Sequence, residues 1–422
     1  MSFARLSLLW KTKDLRNSIL FVALLLFIFR VLAHIPLPGI DVSGLRAFFE
    51  SSQLLGLLDI FSGGTLKNFS IIVLGVGPYI TASIIMQLMT MIIPRLEELS
   101  KEGETGQKKM NQYTRFLTVP LAFIQGYSTI LLIRQSQPQL LSSADGQTLF
   151  LVLLTITAGT VFLMWLGELI SERKIGNGIS ILIFAGIAAG FPQLISQLAL
   201  QYTGDWLTYV LFGLATLATV VGVVYLSEAQ RNIDVVYARH MRGGSGGVAS
   251  KLPIRVNIGG VVPIIFALSL VIFPTIVAQF LVHAKSAWIV SAAQGVIAFF
   301  NNQLYYGITY FVMVVVFSYF YTSIVFQPQK ISENMQRQGG FIPGIRPGKP
   351  TEDYIRTVAY RVLFFGSLSL GFIAILPLIV QSFTGSQSLT IGGTSILIVV
   401  AVVIEIIKQI QSHLSMKEYD VV

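Results

Sequence analysis

The segment Leu57–Pro94 restricts the possible folds of this chain most. It is apolar enough to enter a membrane, but Ser62-Gly63-Gly64 and then Gly77-Pro78 interrupt it. Only its second half approaches the length of about 20 mainly apolar residues that a spanning helix needs. Irregular backbone is tolerated at membrane depth only where protein covers it or water reaches it. We therefore expect Leu57–Leu74 to be a re-entrant segment and Val76–Ile93 to line its cavity, an arrangement typical of channels and transporters.

The composition indicates a membrane protein built from helices. Of the 422 residues, 54% are hydrophobic and 12% are charged, and the mean hydropathy is +0.73. Soluble domains carry about 25% charged residues. We therefore expect an all-α polytopic membrane protein. The chain has no cysteine, which excludes disulfides, thiol nucleophiles and thiolate metal sites.

Ten apolar segments are candidate membrane spans, and an even number places both termini on one side. They are Asn17–Ala33, Val76–Pro94, Tyr113–Ile133, Phe150–Ile170, Ile179–Ala199, Trp206–Leu226, Asn257–Val282, Tyr305–Phe326, Arg356–Val380 and Ile391–Gln411.

The distribution of basic residues orients these spans. Of the 29 Lys and Arg residues, 24 fall on the side of the N-terminus, 4 on the other side, and Arg30 lies inside the first span. Basic loops stay in the cytoplasm. We therefore expect both termini to be cytoplasmic, together with the long loops Ser227–Val256, a basic hairpin, and Gln327–Asp353. The re-entrant segment would then enter from the outer side.

The sequence offers little for catalysis or metal binding. It contains no HExxH, Walker A or GxSxG motif. Its four histidines lie too far apart in the chain to suggest a metal site. Glu405 is the one acid well inside the last span, and Lys408 follows it by three residues, so we interpret it as a packing or locally paired residue. We expect no enzyme activity, no cofactor and no metal site.

Several aliphatic residues of the predicted spans lie beside glycine or proline, some of them one helical turn apart. Residues at i and i+4 share a helix face, although lipid contact also explains such spacing in so apolar a chain. These residues are Val76 and Ile80, Ile179 and Ile183, Ile265, and Ile398.

Seven stretches, in order and covering nearly the whole chain, resemble the SecY family, whose members form the central subunit of the bacterial protein-translocation channel. Together they are far more specific than any single motif. The stretches are Phe29–Asp41, Asp59–Leu88, Lys101–Arg115, Gly159–Ile187, Leu252–Ala267, Gly339–Tyr354 and Gly392–Val400.

The resemblance implies ten transmembrane helices in two pseudo-symmetric halves of five, residues 1–200 and 201–422. Residues 57–74 would be a plug on the outer side of the pore. The plug would contain Phe61, Ser62, Gly63, Gly64, Thr65 and Leu66, and the apolar pore ring would contain Val76, Ile80, Ile179, Ile183, Ile265 and Ile398.

The resemblance also implies a lateral gate toward lipid, mainly between Val76–Pro94 and Asn257–Val282. Polar residues at that gate would be Ser83, Gln87, Thr90, Gln125 and Asn257, while Arg255 and Arg346 would dock cytosolic partners from the two long loops. Ordinary polar helix packing would explain the first group equally well. Solvated loop charges or contacts to anionic lipid would explain the second.

The expected function is a passive protein-conducting channel in the bacterial cytoplasmic membrane. It would thread unfolded, signal-sequence-bearing polypeptides outward, release transmembrane segments laterally into membrane lipid, and be driven by the ribosome or the SecA ATPase. SecE and SecG would be its partner subunits. The main alternative is a solute or ion transporter with a broken-helix site, for which saturable flux of a small solute would be diagnostic.

Overall fold

A computed structural model describes residues 13–37, 65, 69–136, 146–200, 206–237, 250–282, 284, 286–384 and 387–420. Most of these residues are helical. The helices are α1 (Lys13–Leu32), α2 (Gly77–Ile92), α3 (Pro94–Lys101), α4 (Glu104–Ser136), α5 (Gly146–Glu172), α6 (Gly178–Leu200), α7 (Trp206–Glu228), α8 (Val262–Leu281), α9 (Ala287–Asn301), α10 (Gln303–Val325), α11 (Pro328–Arg337), α12 (Lys349–Thr384) and α13 (Gln387–Asp420). Three strands complete the fold, β1 (Gln230–Tyr237), β2 (Ser250–Arg255) and β3 (Gly340–Phe341).

Within the described ranges, five helical segments are long and apolar enough to cross a membrane. A sixth results if α2 and α3, which meet at a bend of 109°, count as one span. Four shorter apolar helical segments accompany them: Gly178–Pro192, Gly213–Glu228, Val262–Thr275 and Ala287–Asn301. The polytopic helical architecture is therefore confirmed, whereas the number of ten spans stays a prediction.

One compact unit consists of Met1–Asp205, Ile272–Ile297 and Val402–Val422. Inside it, α4 packs against α2 and α5, α5 packs against α6, and α1 contacts both α5 and α6. The turn before α2 lies so close to α5 that a Cβ atom on Gly159 would collide with the carbonyl oxygen of Ile71. Only glycine fits at this contact, so the entry to α2 is held firmly against α5.

Helix α6 begins where its sequence supplies a capping residue. The side-chain oxygen of Asn177 accepts hydrogen bonds from the backbone N–H groups of Ile179 and Ser180, at 3.0 and 3.2 Å. Such a side chain satisfies donors that the first helical turn leaves unpaired. A Cβ atom on Gly178 would collide with the carbonyl oxygen of Gly167 in α5. The cap and this close approach together fix the start of α6.

A second compact unit consists of Trp206–Val271 and Ala298–Ala401. Inside it, α12 packs against α7, α10 and α11. The contact between α7 and α12 includes Gly222, which faces the side chain of Ile373. This unit also contains the three strands, which form one sheet in the order β2-β1-β3.

The sheet joins two loops that the sequence analysis treats as separate. Strands β1 and β2 form the predicted hairpin, with Gln230 opposite Arg255 and Asp234 opposite Lys251. Strand β3, from the second loop, pairs with Val236 and Tyr237 at the far end of β1. A buried apolar cluster lies behind the sheet and extends to α11 and α12; its members are Ile233, Val235, Ile254, Met335, Ile342, Ile355 and Ala359. We call the sheet, α11 and the first turns of α12 the platform.

Strand β2 is an edge strand of the described sheet. The N–H of Val256 donates to the carbonyl of Ala229 at 2.9 Å, continuing the ladder beyond the hairpin pairs. Hydrogen-bonded pairs alternate along an antiparallel ladder. Pro253, opposite Asn232, therefore occupies a position whose missing N–H would have pointed away from β1. Proline is tolerated in a sheet at such edge positions.

Candidate functional site

A short antiparallel backbone bridge joins Pro36, a few residues after α1, to Ser70 in the predicted re-entrant segment Leu57–Leu74. The N–H of Leu37 donates to the carbonyl of Phe69, and the N–H of Ile71 donates to the carbonyl of Ile35, both at 3.0 Å. Backbone hydrogen bonds therefore hold the chain after α1 against the chain before α2.

Of the six residues predicted by name for the plug, Thr65 is the one that belongs to the described ranges. Its side chain is fully buried, and its hydroxyl donates to the carbonyl of Ile72 at 3.0 Å. The hydroxyl of Ser70 in turn donates to the carbonyl of Thr65 at 3.4 Å. These bonds fix the C-terminal end of the segment to the turn before α2. The other predicted plug residues, Phe61, Ser62, Gly63, Gly64 and Leu66, lie outside the described residues.

The predicted ring residues are nearly all inaccessible to solvent. Val76, Ile80, Ile183, Ile265 and Ile398 are each 5% exposed or less. Ile179 is half-buried, and its side chain contacts α5 at Gly167. All six are aliphatic, so the surface that each presents is apolar.

A polar cavity of about 480 Å³ lies beside two of the helices that carry ring residues. On α6 it adjoins the capping residue Asn177, one to two turns before Ile183. On α13 it contains Glu405, which follows Ile398 by seven residues and so shares its face. The lining residues are Ser171, Lys174, Gly176, Asn177, Glu405, Gln409, Ser412 and His413. Glu405, interpreted from sequence as a packing or locally paired residue, is thus part of a polar cavity.

The predicted gate residues of α2 form a chain of hydrogen bonds along one face. The side-chain amide of Gln87 donates to the hydroxyl of Ser83 at 3.3 Å, and the hydroxyl of Thr90 donates to the carbonyl of Gln87 at 2.6 Å. Among the described residues, the Oε1 atom of Gln87 is buried and has no hydrogen-bond partner. An unpaired buried acceptor costs about 1–3 kcal/mol. This face of α2 therefore retains capacity for a polar partner.

The other two predicted gate residues lie in different surroundings. Gln125 on α4 is a neighbour of α2, as expected, but it donates to the hydroxyl of Thr81 at 3.5 Å. The amide of Asn257 donates to the carbonyl of Gly260 at 3.2 Å and so closes the turn before α8. No pattern in the sequence pointed to Thr81.

An ion pair between α4 and α5 was also missed from sequence. Nε of Arg115 lies 2.6 Å from a carboxylate oxygen of Glu168. These residues are 53 positions apart, so no local spacing rule could pair them. The ion pair fixes the register of α4 against α5, beside the helix that carries the predicted gate residues.

Arg346 occupies an exposed tip of the platform, between two residues with left-handed backbone. Gly344 has φ +82° and Gly348 has φ +99°, conformations that glycine adopts at little cost. The hydroxyl of Thr351 donates to the carbonyl of Arg346, and the hydroxyl of Ser332 donates to the carbonyl of Gly348, both at 2.9 Å. Both hydroxyl-bearing residues are buried. The tip is thus exposed at its side chain and fixed through its backbone.

Arg255 is exposed on the outward face of β2. It lies opposite the neutral Gln230, whereas the neighbouring Lys251 lies opposite Asp234. Opposite charges on facing strand positions attract each other. The charge of Lys251 is therefore balanced locally by the strand pairing, and that of Arg255 is not.

The two arginines lie at opposite ends of the platform. Arg255 pairs with Gln230 at one end of β1, and β3 pairs with Tyr237 at the other end. Gln230 and Tyr237 are about 23 Å apart along the strand, at 3.3 Å per residue. Helix α12 gives a similar length. Its residue Gly366 contacts Val256, and the helix begins at Lys349, about 25 Å from Gly366 along its axis. The two ends of the platform, near which the two arginines lie, are therefore about two nanometres apart.

Comparison with known proteins gives a consistent result. The SecY family profile matches residues 70–407. "Protein translocase subunit SecY" of Streptomyces galbus is 42% identical over 97% of this chain and 97% of its own length. The protein of the same name from Halalkalibacterium halodurans is 41% identical over 99% of both chains.

Solved structures share the fold at lower identity. One described as "The structure of a protein conducting channel" has a TM-score of 0.67 and 19% identity, covering 93% of this chain and 90% of the other. Another, "Sec61 in the Canine ribosome-channel complex from the endoplasmic reticulum", has a TM-score of 0.62 and 18% identity over 93% and 90%. At such identities the likeness shows the fold.

Proposed function

The chain belongs to the SecY family, and from this premise we propose that it is the protein-conducting subunit of a translocation channel and not an enzyme. It threads unfolded secretory polypeptides across the cytoplasmic membrane and releases transmembrane segments sideways into lipid. The observation that carries this proposal is the match to protein translocase subunits over almost the whole length of both chains. The structural observations below support particular residues in particular roles.

The six aliphatic residues Val76, Ile80, Ile179, Ile183, Ile265 and Ile398 form the pore ring. A cargo of arbitrary sequence cannot be recognised by fixed hydrogen bonds, and an apolar constriction without polar partners suits it. Such a constriction also dewets when empty and blocks ions. The near-complete burial of five of the six residues supports an apolar seal in the resting state.

The polar cavity beside α6 and α13 is the cytoplasmic approach to this ring. Its polar residues lie toward the N-terminal end of α6 and the C-terminal end of α13, both assigned to the cytoplasmic side by the charge distribution. A water-accessible approach that ends at an apolar constriction keeps an entering chain hydrated until it reaches the seal. Along one face of α13, the acidic Glu405 of the cavity is followed by the apolar Ile398 of the ring. This sequence of residues supports a polar approach that leads to an apolar constriction.

Residues 57–74 are the plug, with Phe61, Ser62, Gly63, Gly64, Thr65 and Leu66 at its centre. The backbone bridge between Pro36 and Ser70 and the buried hydroxyl of Thr65 support a plug whose C-terminal end is fixed. Because backbone hydrogen bonds hold this end, the plug can leave the pore and return while its C-terminal end keeps its position.

The lateral gate lies mainly between α2 and α8, and its polar residues are Ser83, Gln87, Thr90, Gln125 and Asn257. The unpaired Oε1 atom of Gln87 supports a gate in which this acceptor is available for a further hydrogen bond. A signal sequence is itself a short apolar helix, so it can leave between the gate helices into lipid.

Arg255 and Arg346 dock the cytosolic partner that supplies the driving force, either the translating ribosome or the SecA ATPase. Arginine pairs well with phosphate and carboxylate groups. The separation of about 2 nm between the two ends of the platform supports a large partner. We further infer SecE and SecG as partner subunits, ten spanning helices in two halves of five (residues 1–200 and 201–422), and a bacterial inner membrane location with cytoplasmic termini.

The test uses the absence of native cysteine. An Ile183→Cys variant is combined with a secretory polypeptide that carries one cysteine and is stalled partway through export. We expect a disulfide cross-link at Ile183 that depends on a functional signal sequence. Leu154→Cys, at an exposed position of α5, is the matched control and should not cross-link. Cross-links at Leu154 but none at Ile183 would remove the pore assignment and make small-solute transport the function to test.

A further inference from the structure

Helix α9 was not predicted as an element, and the function proposed above does not use it. It has 15 residues and is about 22 Å long at 1.5 Å per residue, too short to cross a hydrocarbon core of about 30 Å. One residue, Asn302, separates it from the spanning helix α10. The N-terminal end of α10 lies at the opposite end of that helix from the platform. Helix α9 therefore adjoins the end of α10 that lies away from the platform.

The exposure pattern divides α9 into three faces. One face is turned toward the protein: Ala293 is buried, and Ile289, Val290, Val296, Ile297 and Phe300 are half-buried. A second face is exposed and apolar, formed by Trp288, Ala292, Gly295 and Phe299. A third face is exposed and mainly polar, formed by Ser291, Gln294, Ala298 and Asn301. At 3.6 residues per turn the three faces are about 120° apart.

The exposed apolar face carries an aromatic residue near each end. The side chain of Trp288 is 75% exposed, and that of Phe299 is 43% exposed. The ring of Phe299 stacks on that of Tyr305 at 5.0 Å between centroids, so the aromatic surface continues onto the first turn of α10. Tryptophan and tyrosine are enriched where a membrane protein meets the boundary between head groups and acyl chains.

The order of the three faces matches a water–lipid boundary better than a protein partner. An apolar face and a polar face run side by side along the whole helix, as they do in helices that lie in the membrane plane. A protein groove also takes the apolar face of such a helix, but the aromatic residues Trp288 and Tyr305 favour the lipid boundary.

We infer that α9 is an interfacial helix that binds the outer lipid leaflet through Trp288, Ala292, Gly295 and Phe299 and presents Ser291, Gln294 and Asn301 to water. The assignment of the leaflet as the outer one rests on the proposed orientation, whereas binding to lipid does not. The sequence from Ser286 to Gln329 contains no charged residue. The attraction is therefore apolar, and it should not depend on anionic lipid.

The test compares two positions of α9 that are both exposed and only two residues apart. Ala292→Cys places a probe on the apolar face and Gln294→Cys places one on the polar face, and both leave the aromatic residues intact. Each variant is labelled with an environment-sensitive fluorophore in the full channel complex and reconstituted into lipid vesicles. The complex with the unchanged chain, which has no cysteine, serves as the blank.

We expect blue-shifted emission at position 292 that spin-labelled lipids quench more than iodide does, and the reverse at position 294. Vesicles with and without anionic lipid should give the same quenching. Equal quenching by lipid and iodide at the two positions would overturn the inference. So would a probe at position 292 that neither quencher reaches, because a protein would then cover this face. Failure of the pore assignment at Ile183 would leave the result for α9 unchanged, so the two proposals fail separately.

Discussion

At the scale of single residues, the ring positions show how little chemistry the proposed seal needs. Val76, Ile80, Ile183, Ile265 and Ile398 make their contribution by being aliphatic and inaccessible, at 5% exposure or less. Each could be replaced by another aliphatic residue of similar volume. A hydroxyl at the same place would hold water in the constriction.

The first prediction concerns ion leakage through the resting channel. Ile80→Ser combined with Ile183→Ser should raise resting ion conductance in planar bilayers, because a hydrated constriction no longer excludes ions. The matched control, Ile80→Val with Ile183→Val, keeps the apolar surface and should stay closed. Conductance that is the same in the serine pair and in the wild type would remove these residues from the seal.

At this scale the sequence predicts some contacts and not others. It placed Gln125 beside α2, and the bond to Thr81 confirms that neighbourhood. It did not find Thr81 itself, the ion pair of Arg115 with Glu168, or the polar cavity around Glu405. These contacts join residues far apart in the chain. The periodicity of a helix shows which of its own residues share a face, but not which residues of other helices they contact.

At the scale of elements, the platform is the main feature that the sequence did not predict. The hairpin β1–β2 was expected, but its pairing with β3 joins segments about 100 residues apart. Strand β3 has only two residues, too short for an alternating pattern to reveal it. The buried cluster behind the sheet makes the two long loops one folded element, and through β3 it fixes the tip that bears Arg346.

The second prediction tests whether the position of β3 controls docking. A Cβ atom on Gly340 would lie 2.7 Å from the ring of Tyr237 and 2.9 Å from Met335, so Gly340→Val must displace these buried or half-buried side chains or β3 itself. Overpacking of this kind costs about 1–3 kcal/mol. We expect faster hydrogen exchange at the Arg346 tip and weaker binding of SecA, although Arg346 is unchanged.

The control for this variant is Gly307→Ala in α10. An added methyl group there meets Leu378 at an ordinary contact distance of 3.8 Å, and alanine favours a helix over glycine by about 1 kcal/mol. This change should leave exchange at the tip and SecA binding as in the wild type. Wild-type binding by Gly340→Val would show that the tip does not depend on β3.

At the scale of the whole molecule, the two arginines proposed to dock the partner, Arg255 and Arg346, are distributed rather than clustered. The charge of Arg356, by contrast, is paired with Glu352 at 2.7 Å within one helix. Such an exposed pair contributes about 0.3–0.5 kcal/mol. Arg356 therefore offers a nearby arginine whose loss should matter little to a partner.

The third prediction concerns the affinity of the docked partner. Arg346→Gln and Arg255→Gln should each weaken SecA or ribosome binding about tenfold to a hundredfold, since a hydrogen bond to a charged group contributes about 1.5–3 kcal/mol. Arg356→Gln, the control, should change binding less than about threefold. Insertion into the membrane and abundance should be normal in all three variants.

The double variant provides the geometric test. Sites more than about 10 Å apart contribute additively, and the ends of the platform are separated by about 23 Å along β1. The losses of free energy from Arg255→Gln and Arg346→Gln should therefore add. Strong non-additivity would mean that both arginines contact one compact feature of the partner, which the register of β1 with β2 and β3 does not allow.

The edge strand β2 has a consequence for a protein whose cargo is unfolded. A free sheet edge is a template on which an extended chain can be captured as an additional strand, and an exported polypeptide is extended for most of its passage. At Pro253, whose backbone nitrogen points away from β1, the edge lacks a hydrogen-bond donor. The charged residues Lys251 and Arg255 lie two positions away on either side. A conduit for unfolded chains must not offer them a place to fold, and this edge strand disfavours the addition of an extended chain.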